Sequence, residues 1–552
     1  MTMKKKPSWM IVLAALVFCV FMGTALGEAS NGKQETAEVE NPVRAVCENG
    51  VMLGRCEQGV ISFKGVPYAK PPVGALRWKA PQAPTPGDSE IECFEYGYTA
   101  LQIECPSEQA SYFPKSEDCL TLNIWANADK AAGEIRPVMV FFHGGAFSYG
   151  GTTDPLYDGQ RFAKAHDDVI LVTCNYRLGL MGFPDFSKIE GGEEYTEINL
   201  ALRDQIAALE WIQRNIAAFG GDPDNVTIFG ESAGAYSVTA MMLSPKAKGL
   251  FRRAIAQSGE VAPKPREAAQ AYADFIMEVS GAKNMEELLA ISGEEWMQLD
   301  RKFAIGDTNC LAVTDGDIIP EDLAKAYEEA AKSGVQLIIG SNADEWNYFR
   351  ADCPGDTDQE KLVSWVQIMK EMYQQACAQT NAEGKAALEE LIRYEESIVP
   401  EEYDKDAEVK EALTLSGFVT EAWRYEILDF AERFADAGGD VRVYLWTIPS
   451  TKEEKFKSAV HAVELGYVFN NEDPLYAGEI DPEAAAKVQE AWVSFAKTGV
   501  PSINGIDWKP YHSDTRETLV IGKDEWTCVQ DPSKTPRKLL EKAFGDNPYR
   551  VW

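Results

Sequence analysis

Val226-Thr227-Ile228-Phe229-Gly230-Glu231-Ser232-Ala233-Gly234 sets a Gly-x-Ser-x-Gly pattern directly behind an apolar run of strand length. In such a strand-to-helix turn the chain bends so sharply that a Cβ on either flank collides with neighbouring backbone. The serine hydroxyl is then held above the sheet edge, at the N-terminus of the next helix. A five-residue pattern recurs by chance, so its flanks carry the reading. Asn199 to Phe219 has a broad apolar stripe (Leu200, Ile206, Leu209, Trp211, Ile212, Ile216) and reads as a helix. Gly220-Gly221-Asp222-Pro223 stops that helix and turns the chain into the strand.

Working outward, strand-like text runs from Val43 to Lys64, with turns at Glu48-Asn49-Gly50 and Gln58-Gly59. Leu120–Trp125, Val138–Phe142 and Val169–Thr173 follow, and the last two are continuous apolar runs. That pattern belongs to strands buried on both faces of a mainly parallel sheet. Further strands are expected at Arg253–Ala256, Val335–Ile339 and Val441–Trp446, and a helix from about Pro482 to Thr498. Acidic helical stretches fill about 261–330 and 351–440. The alternation predicts one doubly wound α/β domain over 43–552, its mostly parallel central sheet flanked by helices, with two helical cap insertions. No internal repeat or low-complexity tract interrupts it.

The chain has 552 residues with a formal net charge of −34. It starts with Lys4-Lys5-Lys6, an apolar run from Trp9 to Leu26, and the small residues Ala25 and Gly27 at the end of that run. This is the layout of a cleaved signal peptide over residues 1–27, with a flexible tether over 28–42. An uncleaved membrane anchor is the alternative, because the run is nearly long enough to span a bilayer. Cleavage implies a secreted or extracytoplasmic chain with no stable membrane association. It would remove three lysines and no acid, taking the charge from −34 to −37. Such a surface repels phosphate backbones and anionic lipid, which excludes nucleic-acid binding, and the acidity reads as solubility. Ten of the eleven cysteines would remain, an even number that permits disulfides in an exported chain. None stands in a Cys-x-x-Cys pair, so a zinc site has little support.

A serine hydroxyl needs an adjacent base, and in this arrangement the partners follow as Ser, then Asp or Glu, then His. Only four histidines exist. His143 precedes the serine, His166 has ordinary surface spacing on a helix, and His512 lies near the C-terminus after Trp508-Lys509-Pro510-Tyr511. His461 follows the Val441–Trp446 strand and its loop, where the base belongs. The acid is expected beyond Val335–Ile339, in Ser341-Asn342-Ala343-Asp344-Glu345-Trp346. Two carboxylates are adjacent there, and chain order alone does not choose between Asp344 and Glu345. Backbone N–H groups for an oxyanion are expected from Ala233 and from the loop His143-Gly144-Gly145-Ala146-Phe147.

Taken together, Phe63-Lys64-Gly65-Val66-Pro67-Tyr68-Ala69, Ser116 to Asn123, His143 to Phe147, Phe219 to Pro223, Phe229 to Gly234 and Gln257-Ser258-Gly259 resemble the type-B carboxylesterases. These are the cholinesterase-like branch of the α/β-hydrolases, and the resemblance covers roughly residues 43–520. It implies the α/β-hydrolase fold and carboxylic-ester hydrolysis through a Ser-His-Glu triad and an acyl-enzyme, on a small-molecule ester and without metal or organic cofactor. The family's Gly-x-Asn-x-Asp-Glu motif assigns the acid to Glu345, its histidine falls on His461, and its oxyanion donors fall on Gly145, Ala146 and Ala233. It also implies Glu231 as a carboxylate close to the histidine and a disulfide between Cys105 and Cys119. The Cys105–Cys119 loop holds no tryptophan, although Tyr112 or Phe113 offers a ring; choline esters are therefore not the expected substrate. Because the serine is present, the adhesion-type members that lack it are a poor match.

Overall fold

The computed structural model describes residues 42–105, 109–129, 134–303, 312–452, 458–473, 477–503 and 505–545. The expected signal peptide, and all but the last residue of the expected tether, lie outside the described residues. Among those described, no helix is long and apolar enough to cross a membrane.

Thirteen strands form one sheet: β1 (Val43–Cys47), β2 (Gly50–Glu57), β3 (Val60–Pro67), β4 (Glu90–Glu92), β5 (Thr121–Asn127), β6 (Arg136–Phe142), β7 (Ile170–Cys174), β8 (Gly221–Glu231), β9 (Arg253–Gln257), β10 (Gln336–Asn342), β11 (Asp440–Trp446), β12 (Glu517–Ile521) and β13 (Trp526–Gln530). Their order is β1-β2-β3-β5-β7-β6-β8-β9-β10-β11-β12-β13, with β4 beside β2. From β7 to β12 every pairing is parallel. Along that order both margins are antiparallel, from β1 through β5 to β7 and at β12–β13, whereas β4 runs parallel to β2. The sheet is thus an α/β-hydrolase sheet, mixed overall with a parallel centre. Sequence periodicity did not mark β4, β12 or β13, which are short or half-polar strands at the margins.

Side-chain alternation explains why the central strands read as unbroken apolar runs. Val138, Val140 and Phe142 of β6 enter the apolar cluster on one face, with Val172, Ile228, Ala254 and Leu337. Met139 and Phe141 enter the cluster on the other, with Leu171, Phe229, Ile255 and Ile338. A strand covered on both faces has no position to spare for a polar residue. A third cluster lies apart from the sheet, between the helices Asp358–Ala378, Ala382–Ile398, Ala407–Asp436 and Lys534–Phe544. The helix Ala407–Asp436 belongs to two clusters. Leu415, Phe418, Val419 and Ala422 pack among the other helices, whereas Ile427, Phe430, Ala431 and Phe434 pack on the sheet.

The strand order reverses at β6, because β7 lies on one side of it and β8 on the other. Such a reversal opens a crevice at the carboxyl ends of the strands. Phe142, the last residue of β6, is in register with Gly230. The loop after β6 and the turn after β8 therefore emerge side by side. Asn342 at the end of β10 is in register with Trp446 at the end of β11, so the segments after those strands emerge at the same edge.

Phe141 is fully buried and meets the rings of Tyr157, Phe229 and Phe469 at 4.8, 5.0 and 4.9 Å between centroids. Phe141→Ala should cost about 3–5 kcal/mol, read as a lowered urea-unfolding midpoint.

Candidate active site

Ser232 stands between β8 and the helix Ala233–Leu243 with φ 56° and ψ −121°, a conformation that costs a residue with a Cβ free energy. The surroundings impose it. A Cβ on Gly234 would lie 1.9 Å from the Phe142 carbonyl oxygen, and one on Gly230 would lie 2.6 Å from the Gly234 carbonyl. The Ser232 N–H donates to the Gln257 carbonyl (2.8 Å), and its own carbonyl accepts from Tyr236 (2.9 Å). The chain can therefore neither relax outward nor be filled inward.

The loop after β6 packs directly on this turn. A Cβ on Gly144 would meet Glu231 Oε2 at 2.9 Å and Ser232 Cβ at 3.3 Å. Gly145, Ala146 and Phe147 all adopt positive φ (97°, 52° and 57°), and the Gly145 carbonyl accepts from Ser148 and Tyr149 (both 2.9 Å). Among the described residues, no protein group accepts from the N–H groups of Gly145, Ala146 and Ala233. His143 shapes the loop from beneath: Nδ1 is 2.8 Å from the Gly144 carbonyl oxygen, and the ring stacks on Tyr176 at 4.4 Å. Burial, partly offset by that hydrogen bond, holds its pKa down at about 4, so the ring is neutral.

After β10 the chain turns through Asp344 and Glu345, and the two neighbouring carboxylates go different ways. Asp344 accepts from the Ala459 N–H (2.9 Å), and its own N–H donates to the Ala459 carbonyl (3.0 Å). This clamps the segment carrying the histidine. Glu345, fully buried, accepts the Asn342 N–H at Oε1 (2.6 Å) and presents Oε2 to His461 Nδ1 at 2.6 Å. The structure brings Glu345 and His461 together across 116 positions of chain.

On the other side of the imidazole, Nε2 stands 3.1 Å from Glu231 Oε1, beside the serine. This is an ion-pair approach without hydrogen-bond alignment, and Nε2 is not bonded to the Ser232 hydroxyl in this structure. A third carboxylate, Glu464, is held by Asn342 Nδ2 (2.6 Å) and Gln257 Nε2 (3.0 Å). Gln257 is itself fixed by the Trp492 indole N–H (3.1 Å). Burial works to lower the His461 pKa, but Glu231, Glu345 with its hydrogen bond, and Glu464 outweigh it and raise it to about 9. Burial pushes Glu464 upward, against the two amide donors that favour its charge.

His166 is half-buried, with Nε2 3.1 Å from Gln489 Oε1, and His512 is exposed; neither reaches this cluster. Tyr112 and Phe113 are exposed rings, 57% and 37% accessible. The disulfide implied for Cys105 and Cys119 is not formed in this structure. Cys119 packs inside the main apolar cluster, whereas Cys105 is buried outside it, in a loop whose N–H donates to Ser111 Oγ. Among the described residues, no group of three or more His, Cys, Asp or Glu side chains is arranged to hold a metal ion.

Several neighbours of the cluster were not singled out from the sequence. Trp423, Tyr348 and Phe349 bring rings to 5.0, 5.5 and 5.5 Å from the His461 ring, and Trp346 packs on Trp423 at 5.6 Å. Trp423 comes from a helix read only as charged. Its middle section, Ala412 to Ala422, is weakly polar on all sides, and that was the available signal for a helix buried all round.

Residues 42–538 match the model of the Carboxylesterase family. The para-nitrobenzyl esterase of Bacillus subtilis (strain 168) is 35% identical over 516 residues, covering 90% of this chain and 98% of its own. The phenmedipham hydrolase of Pseudarthrobacter oxydans is 31% identical, over 87% and 95% of the two chains. Among solved structures, the Geobacillus stearothermophilus carboxylesterase EST55 superposes with a TM-score of 0.76 at 34% identity, covering 90% of this chain and 99% of that one.

A group whose folded pKa is raised stabilises the fold fully below its unfolded value, about 6.5 for histidine. For His461 that contribution is lost as pH rises through about 9. With four histidines in the chain, NMR of the protein labelled with ¹³C-histidine should resolve one resonance titrating near 9 and another, His143, that stays neutral at pH 6. Glu231→Gln should move the upper titration to lower pH, because it removes one of the anions that hold the proton.

Proposed function

This chain belongs to the carboxylesterase family and is a hydrolase acting on ester bonds, and we propose that it works through Ser232, His461 and Glu345. In this reading the Ser232 hydroxyl attacks the ester carbonyl while His461 Nε2 takes its proton and then delivers it to the leaving alcohol. The transient oxyanion is held by the N–H groups of Gly145, Ala146 and Ala233, three donors with no protein acceptor among the described residues. Water repeats the sequence on the acyl-enzyme. Glu345 holds the imidazole through Nδ1 and stabilises the cation formed when the serine proton arrives. Glu231 adds to that stabilisation from the serine side. No step calls for a metal or an organic cofactor.

The observation that carries the proposal is the 2.6 Å contact between Glu345 and a buried His461 whose other nitrogen faces the residue next to Ser232. In the proposed reaction His461 Nε2 takes up the Ser232 hydroxyl in place of its present approach to Glu231. Catalytic hydrogen bonds commonly tighten only once substrate is bound. The aromatic wall of Trp346, Tyr348, Phe349 and Trp423 favours uncharged esters with an apolar or aromatic group, in keeping with the para-nitrobenzyl esterase among its relatives. We also read residues 1–27 as an export signal that delivers the enzyme outside the cytoplasm.

Ser232→Ala should lower kcat on short p-nitrophenyl esters by about 10⁴-fold or more and abolish labelling by an organophosphonate, with a comparable loss for His461→Ala. Retained labelling in Ser232→Ala would move the nucleophile elsewhere, and an unlabelled wild-type protein would mark a binding protein with dormant chemistry. Because the base must be neutral to accept a proton, kcat/KM should rise with pH through a limb displaced above the ordinary imidazole value, toward about 9.

A further inference from the structure

Ser416, Thr420 and Arg424 recur every four residues on one face of the helix Ala407–Asp436, and all three reach the turn that carries Glu345. Ser416 Oγ donates to Asn347 Oδ1 (2.8 Å), and Thr420 Oγ1 accepts the Trp346 N–H (3.3 Å). Arg424 makes the largest set of contacts. Its Nη2 donates to the carbonyls of Asn342 (2.8 Å) and Ala343 (3.0 Å), its Nε to Ser341 Oγ (3.1 Å), and its Nη1 pairs with Glu421. The three residues are at most 5% accessible.

We propose that Arg424, supported by Thr420 and Ser416, is a positioning residue for the acid of the triad, fixing the peptide units just ahead of Asp344-Glu345 so that Glu345 Oε2 meets His461. The proposal rests on the triad reading above.

The need for such a residue follows from where β10 ends. Its ladder with β11 stops at Asn342, so the carbonyls of the fully buried Asn342 and the half-buried Ala343 leave the sheet. Buried carbonyls without donors are costly, and here they would also leave the turn free to rotate. A guanidinium presents several N–H groups in one rigid plane and can hold two carbonyls and a hydroxyl at once, whereas an ammonium on a flexible stem cannot fix that geometry. Arg424 also sets a positive charge among Glu421 on its own helix, Glu395 on Ala382–Ile398 and Asp344 on the turn. The same helix carries Trp423 against the His461 ring, so one element contacts both ends of the Glu345–His461 pair.

The test compares Arg424→Met, Arg424→Lys and Thr420→Val. Competent sites are titrated to completion with an organophosphonate, and kcat, KM and the pH–rate profile are measured per titrated site. The groups facing His461 are Glu231, Glu345 and Glu464, so loosening Glu345 lowers its proton affinity. Arg424→Met should reduce kcat by about 10–100-fold with KM changed no more than a few fold, and move the acid limb to lower pH by about one unit. Arg424→Lys should recover part of both, and Thr420→Val should shift both in the same direction by less. A wild-type kcat and acid limb per site in Arg424→Met would overturn the proposal and leave Arg424 as an anchor for the helix. If that variant does not fold, an unchanged acid limb in both Arg424→Lys and Thr420→Val overturns it equally. Glu345→Gln separates the two levels of inference. If it leaves the acid limb in place, the triad reading fails; if it moves the limb and no Arg424 variant does, only the present proposal fails.

Discussion

The arrangement depends on the absence of any side-chain atom between Gly234 and the Phe142 carbonyl, where a Cβ would stand 1.9 Å away. That approach lets the helix Ala233–Leu243 start against the end of β6. It forces Ser232 into its strained conformation and brings the loop after β6 beside the serine. The strain at one residue is local. The strands that impose it are buried on both faces, so the fold as a whole resists its relaxation.

Against that rigid turn the structure gathers negative charge. Glu231, Glu345 and Glu464 surround one imidazole in a site from which solvent is largely excluded. Each carboxylate is held by hydrogen bonds or by an ion pair: Glu345 by the Asn342 N–H and Glu464 by two side-chain amides. Such fixed anions favour a cation between them without waiting for solvent to reorganise, which suits the imidazolium of the proposed mechanism.

Much of this was legible in the sequence, and what was not has physical reasons. Gly230 and Gly234 flank a serine behind an apolar strand, and only a sharp turn needs that pattern. His461 emerged from chain order because the chain has so few histidines. Asp344 and Glu345 stayed tied on their own residues, since which carboxylate meets the imidazole depends on the backbone turn; the family resemblance pointed to Glu345. In the structure Asp344 goes to the Ala459 N–H and Glu345 to the ring. Arg424 and Trp423 were hidden inside a stretch read only as acidic and helical, because a charge pattern does not say which face another helix covers. The expected Cys105–Cys119 bond came from the resemblance alone, and these two side chains lie in different surroundings.

The helix Ala407–Asp436 is shared between the core on the sheet and the core among the capping helices. The cap is therefore not a module that evolution can exchange whole, because its longest member is also a structural beam of the catalytic domain.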